Sequence, residues 1–257
     1  MNVLQAVLLS IVEGVTEFLP ISSTGHLILA SNLLGIIQSE VVKSFEIVIQ
    51  LGAILAVVVL YFKRVITNFA IWQRVGVAFV PTAVVGFLLY KVVKQLLLGN
   101  SMVVVVSLFL GGLLMIILEQ VFKRRKQIGG IEQMSLGQAF GVGVVQSLSI
   151  IPGVSRAAAT IYGGMGVGLS REEATEFSFL LAVPTMVAAV GLDVIKSREV
   201  LLHSGNLGVL AVGFLGAFIT ALVTVKWLIG WVKKHSLVGF GIYRMVVAGI
   251  FLWGGMR

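Results

Sequence analysis

Residues 13–26 read EGVTEFLPISSTGH. Two glutamates, a proline, four hydroxyls and a histidine crowd into this stretch of a chain of 257 residues that is 58% hydrophobic and 12% charged. Soluble domains carry roughly 25% charged side chains, and the mean hydropathy here is +1.06, so the chain is expected to be an integral membrane protein. Pro20 interrupts an apolar region over about 1–36, and Pro152-Gly153 interrupts another over about 136–170. Each half is only about 12–18 residues long, short for a helix that must cross a bilayer. Such a half suits one arm of a re-entrant hairpin that dips in and returns to the same face.

The two interrupted regions resemble each other. From Gln146 the second reads QSLSIIPGVSRAAAT, again with proline and then serine; the long apolar segments that follow open with Phe45-Glu46 and Glu176-Phe177, an offset of about 131–133 residues. Full spans are expected near 43–62, 75–91, 102–122, 174–197, 206–231 and 237–256. The fold expected is therefore all-α and polytopic, a single integral membrane domain over 1–257. Its two repeats, about 1–126 and 134–257, each hold one re-entrant hairpin and three spans. Three crossings turn the second hairpin round, so the two breaks enter from opposite faces and meet near the midplane.

Net charge is +8, but the basic residues lie mostly in loops, where headgroups and topology account for them, and no nucleic-acid partner is expected. One set of loops holds ten of them (Lys63, Arg64, Arg74, Lys123, Arg124, Arg125, Lys126, Arg171, Lys233, Lys234) and the other set six (Lys43, Lys91, Lys94, Lys196, Arg198, Arg257). The positive-inside rule puts the larger set in the cytoplasm, leaving both termini and the first hairpin outside. Zero cysteines exclude disulfides and thiolate chemistry. The N-terminus lacks a basic region followed by a cleavage site, so no removable signal peptide is read.

The ionisable groups left at membrane depth are Glu13, Glu17, His26, Glu46, Arg156, Glu176 and Arg244, and a charge there costs about 2.5–3.5 kcal/mol even on the mildest scale. Glu13 and Glu17 are one helical turn apart and repel each other, so a positive partner is expected between them. A hard divalent cation fits, Mg²⁺ first and Ca²⁺ second, because it takes one or two carboxylates and completes its shell with phosphate oxygens; a protonated glutamate or an arginine on each are the alternatives. Ser22, Ser23 and Thr24 stand where the second half-helix begins, and Ser155 stands at the matching start in the second repeat. There hydroxyls either cap the helix or, with free N–H groups, receive an anion. Arg156 adds a planar fork suited to phosphate. His26 lies within a turn of Ser23, placed to act as general base or to take part in covalent phosphoryl chemistry. Arg244, inside the last span with Gly239 and Gly241 allowing close approach, is expected to bind the anion or neutralise Glu13 or Glu17. Glu46, Gln50, Glu176 and Ser178 read as supporting hydrogen-bond groups. His203 and His235 receive no role. The set suits phosphoryl transfer, and with no nucleotide-binding motif the substrate is expected to be a phosphorylated lipid reached from the bilayer.

At these residues the chain resembles the undecaprenyl-diphosphatase (BacA/UppP) family. The resemblance covers essentially all 257 residues and rests on EGVTEFLPISSTGH (13–26), FEIVIQLG (45–52), PGVSRxxxT (152–160) and EFSFLLAVP (176–184). It implies a bacterial plasma-membrane enzyme that hydrolyses undecaprenyl diphosphate to the monophosphate, recycling the carrier for peptidoglycan synthesis and conferring bacitracin resistance. It implies a divalent-cation requirement and a site opening to the outer side, and a homodimer is compatible with it. Carried over by residue, Glu13 and Glu17 are the glutamate motif, Ser23 the proposed nucleophile, His26 the histidine, and Ser155 and Arg156 the phosphate-holding pair. Thr160 and Arg244 match positions lining the family's site. Where the family commonly has Ser-Gly, this chain has Ala157 and Ala158. The competing reading is a polyprenyl-phosphate flippase or other inverted-repeat transporter, which would need a binding site but no nucleophile with a base.

Overall fold

The structure is a computed structural model and describes residues 1–37, 39–92, 101–123, 127–203 and 207–254. Among these residues every element is helical. The first half runs α1 (Val3–Thr16), α2 (Ser23–Leu33), α3 (Glu40–Thr67), α4 (Phe69–Val92) and α5 (Ser101–Phe122). The second runs α6 (Leu136–Ser147), α7 (Arg156–Val167), α8 (Arg171–His203), α9 (Leu207–Val232) and α10 (Val238–Gly254). Five helices hold apolar segments long enough to cross a membrane: Val41–Arg64, Phe69–Leu89, Ser101–Phe122, Arg171–Gly191 and Leu207–Val232. This is a multi-pass membrane protein. Of the sixth expected span, 237–256, the described part is α10, 17 residues and about 25 Å of helix at 1.5 Å per residue.

Both interrupted regions are hairpins, and both close in the same way. Asn2 and Gln5 form a capping box at the start of α1, and Ser135 and Gln138 form one at the start of α6. The same two glutamines then reach across their hairpins, Gln5 donating to the Leu34 carbonyl (3.2 Å) and Gln138 to the Val167 carbonyl (3.0 Å). At the tips, Ser22 and Ser155 sit at φ +74° and +72°, the two non-glycine residues with positive φ among those described. Strained backbone of this kind persists only where its surroundings enforce it.

Helix packing relates the halves. Exchanging each helix with the one five later carries the α1–α9 packing onto α6–α4 and returns α3–α8 and α5–α10 onto themselves. Small residues allow these approaches: a methyl group on Gly14 would meet the Ala217 carbonyl oxygen of α9 at 2.7 Å, and one on Gly143 would strike the Ala78 carbonyl of α4. Ion pairs identify one end of the bundle, where Arg64 of α3 pairs with Glu176 of α8, Arg171 with Glu119 of α5, and Lys233, just past α9, with Glu172. The start of the second hairpin lies at this end, since Arg64 also faces Glu132 at 3.7 Å and Arg74 Nε donates to the Met134 carbonyl at 2.5 Å. The start of α1 instead joins the opposite ends of α3 and α9, in a cluster of Ala6, Leu9, Phe45, Ile49 and Val209. The hairpins thus enter from opposite ends. Of the basic residues used to orient the chain, Lys94, Arg124, Arg125, Lys126 and Arg257 lie outside the described residues, as do the side chains of Lys91, Lys196 and Arg198.

Both tips press on α5. Gly153, at φ +92°, has so little room that an added Cβ would lie 2.7 Å from the Val104 carbonyl oxygen and 2.9 Å from Ser107 Cβ. Gly153→Ala therefore combines left-handed strain with a backbone clash and is expected to cost about 1–3 kcal/mol. A fall of several degrees in the thermal unfolding midpoint of the detergent-solubilised protein checks it.

Candidate active site

The site is built where the two breaks meet. Glu13 and Glu17 close α1, with the Glu17 N–H on the Glu13 carbonyl at 2.9 Å, so both side chains leave the helix on one face. The chain then turns through Pro20 and Ser22 and starts α2. That reversal carries Ser23 back onto Glu17, and the Ser23 hydroxyl donates to Glu17 Oε2. The other oxygen, Oε1, takes Arg156 Nη2 at 2.9 Å, with both side chains about nine-tenths buried. A carboxylate from the first hairpin and a guanidinium from the second are thus in direct contact.

Arg156 is held from several sides. Nη1 donates to the Ser178 carbonyl (3.1 Å), Nη2 lies 3.5 Å from Met186 Sδ, and Cζ stands 5.6 Å from the Phe18 ring centroid. Its Nε is buried and has no hydrogen-bond partner among the described residues, which leaves one directed donor for an incoming anion. Thr160, expected to line the substrate, lies deeper. It is fully buried, and its hydroxyl contacts Ser178 Oγ at 2.6 Å and the Arg156 carbonyl at 2.9 Å. Thr160 orders α7 against Ser178 and acts on the site through Arg156.

Four further expectations are revised. Ser155 caps α7, accepting from the Ala158 N–H at 3.2 Å, but Ser22 makes no side-chain cap, so its hydroxyl is not used in holding α2. Thr24 is exposed. His26 was expected to be the base for Ser23, but its ring nitrogens are otherwise engaged: Nδ1 faces the Ser22 carbonyl and Nε2 the Tyr243 hydroxyl, each at 2.8 Å. The carboxylate in contact with Ser23 is that of Glu17. Arg244 was expected to meet the anion or a glutamate. It is fully buried and donates to the carbonyls of Gly153 (2.8 Å), Ser107 (3.0 Å), Val154 (3.0 Å), Pro20 (3.4 Å) and Leu108 (3.4 Å). It fastens both breaks to α5, because those breaks expose carbonyls that the helices cannot satisfy and hydrocarbon cannot solvate. Of the two glycines expected to admit α10, Gly241 does so, packed on Gly112 of α5, while Gly239 faces open space.

Glu13 is the orphan of the site. It is wholly buried, and neither carboxylate oxygen has a hydrogen-bond partner among the described residues. The charges acting on it are those of Glu17 and Glu46 and, in the opposite sense, Arg156. A divalent cation fits that vacancy of charge. Among the described residues no three His, Asp or Glu side chains are grouped to hold a metal ion, so a cation at Glu13 would need most of its shell from outside the protein. Sequence reasoning gave no role to Tyr243, Met186 or Phe18; only the hydroxyl of Tyr243 in an apolar helix was a signal.

Residues 6–250 match the family described as bacitracin resistance protein BacA. The chain is 53% identical over 247 residues to an undecaprenyl-diphosphatase of Aquifex aeolicus, covering 96% of each chain. It is 51% identical to one of a Sulfurihydrogenibium species, covering 98% of this chain and 100% of the relative. To one of Thermus thermophilus it is 46% identical, covering 98% and 97%.

Proposed function

The chain belongs to the BacA bacitracin resistance family, and from that membership we infer that it is a membrane phosphatase that hydrolyses undecaprenyl diphosphate to undecaprenyl phosphate and inorganic phosphate. The observation that carries the reading is the Glu17 carboxylate shared between Arg156 and Ser23, a base on a hydroxyl beside a cation suited to phosphate. A transporter needs no hydroxyl held against a carboxylate.

Arg156 receives the diphosphate through Nε, helped by free N–H groups at the start of α2. Glu17 takes the Ser23 proton as Oγ bonds to the terminal phosphorus, and the anhydride bond to the lipid's own phosphate breaks. Water then displaces phosphate from Ser23, His26 accepts its proton, and the serine recovers its hydrogen from Glu17. Glu13 and Glu17 hold a divalent cation, Mg²⁺ before Ca²⁺. When bound, that ion neutralises charge on the phosphate oxygens. The tethered breaks and the distribution of basic residues support a plasma-membrane site opening on the outer face, with both termini outside.

Purified protein given undecaprenyl diphosphate and Mg²⁺ is expected to release inorganic phosphate and to stop when a chelator is added. Glu13→Gln should raise the Mg²⁺ concentration for half-maximal rate by roughly tenfold or more, since one carboxylate ligand is gone. Lipid binding without phosphate release would overturn the reading in favour of a transporter.

A further inference from the structure

His26 and Tyr243 come from opposite ends of the chain yet meet between α2 and α10. The Tyr243 hydroxyl is 2.8 Å from His26 Nε2, and the rings stack with centroids 5.5 Å apart and planes at 8°. The Ser22 carbonyl at Nδ1 can only accept, so in the neutral ring the hydrogen is on Nδ1 and the lone pair on Nε2. Tyr243 therefore donates to Nε2, the nitrogen that must receive a proton.

Tyr243 does not hold its own position by burial, being 42% exposed. The next residue does that. Arg244 is fastened to both hairpin breaks and to α5, and Gly241 sits against Gly112 where α10 crosses α5. Ile28 and Leu29 of α2 pack on the same α5–α10 cluster of Val104, Leu108, Val247 and Phe251. The seat for the imidazole is thus made by α10.

We propose that Tyr243 is the positioning residue for His26: its hydroxyl, donating to Nε2, fixes the ring plane and the tautomer, and turns to accept once that nitrogen takes a proton. The proposal rests on the reading of His26 as the group that takes the proton of the attacking water. Its structural content, a hydroxyl seating an imidazole across α2 and α10, is testable apart from it.

Tyr243→Phe keeps the stacked ring and removes only the hydroxyl. It is expected to lower kcat by roughly tenfold or more while KM stays within about twofold, because a mis-seated base loses transition-state but not ground-state interactions. With ¹⁵N-labelled histidine in detergent, the unprotonated Nε2 resonance of His26 should move in Tyr243→Phe; the chain's three histidines are assigned by single substitution. A wild-type kcat in Tyr243→Phe, or an unmoved Nε2 resonance, overturns the proposal. If His26→Ala keeps the wild-type rate, the proton-accepting reading of His26 fails. The Nε2 resonance still reports whether the tyrosine seats the ring.

Discussion

Arg156→Ala is expected to reduce phosphate release by about three orders of magnitude, the cost of removing a preorganised donor from a site that excludes water. Two losses coincide. The substrate loses the Nε donor, and Glu17 loses the partner 2.9 Å away that permits it to be buried as a carboxylate. Arg156→Lys restores charge but not the planar fork and should recover only part of the rate. Because Glu17→Gln disables the same pair, the double variant should be scarcely worse than either single one, a non-additivity that steady-state rates of the four proteins would display. Independent, additive losses would mean that the ion pair is not the working unit.

Arg244→Ala should have its largest effect on folding. The three carbonyls at the breaks, those of Pro20, Gly153 and Val154, lose their donor at once. At about 1–3 kcal/mol for each buried group left unsatisfied, the loss is roughly 5 kcal/mol or more, comparable to the whole stability of many proteins. The variant should accumulate poorly in membranes, and what is recovered should unfold well below the wild type in a thermal scan in detergent. Arg244→Lys should rescue little, since an ammonium has three donors and no fork. An Arg244→Ala protein with unchanged thermal stability and a raised KM would return Arg244 to the anion-binding role its position suggested.

That contrast marks where the sequence stops being readable. The breaks at Pro20 and Pro152-Gly153 were legible because proline removes a donor and disfavours helix just before it, and the offset between them exposed the duplication. Glu13, Glu17 and Arg156 were legible because charge in hydrocarbon is costly. The partners of those charges were not. A buried arginine reads the same whether it faces phosphate or carbonyls, and nothing local to residue 244 shows that two broken helices end beside it. The pairing of Ser23 with Glu17 depends on the left-handed turn at Ser22, which residue types other than glycine rarely announce. Tyr243 reads as packing until His26 is placed against it. The motifs Asn2-x-x-Gln5 and Ser135-x-x-Gln138 are visible capping signatures, but their second task, closing each hairpin, needs the fold.

The guanidinium of Arg244 also limits how the molecule can work. A carrier that alternates between faces must let its two halves swing past each other, yet here one side chain grips the first hairpin at Pro20 and the second at Gly153 and Val154. Any such swing would strand bare peptide oxygens in oil. The catalyst stays still, and the prenyl lipid does the travelling.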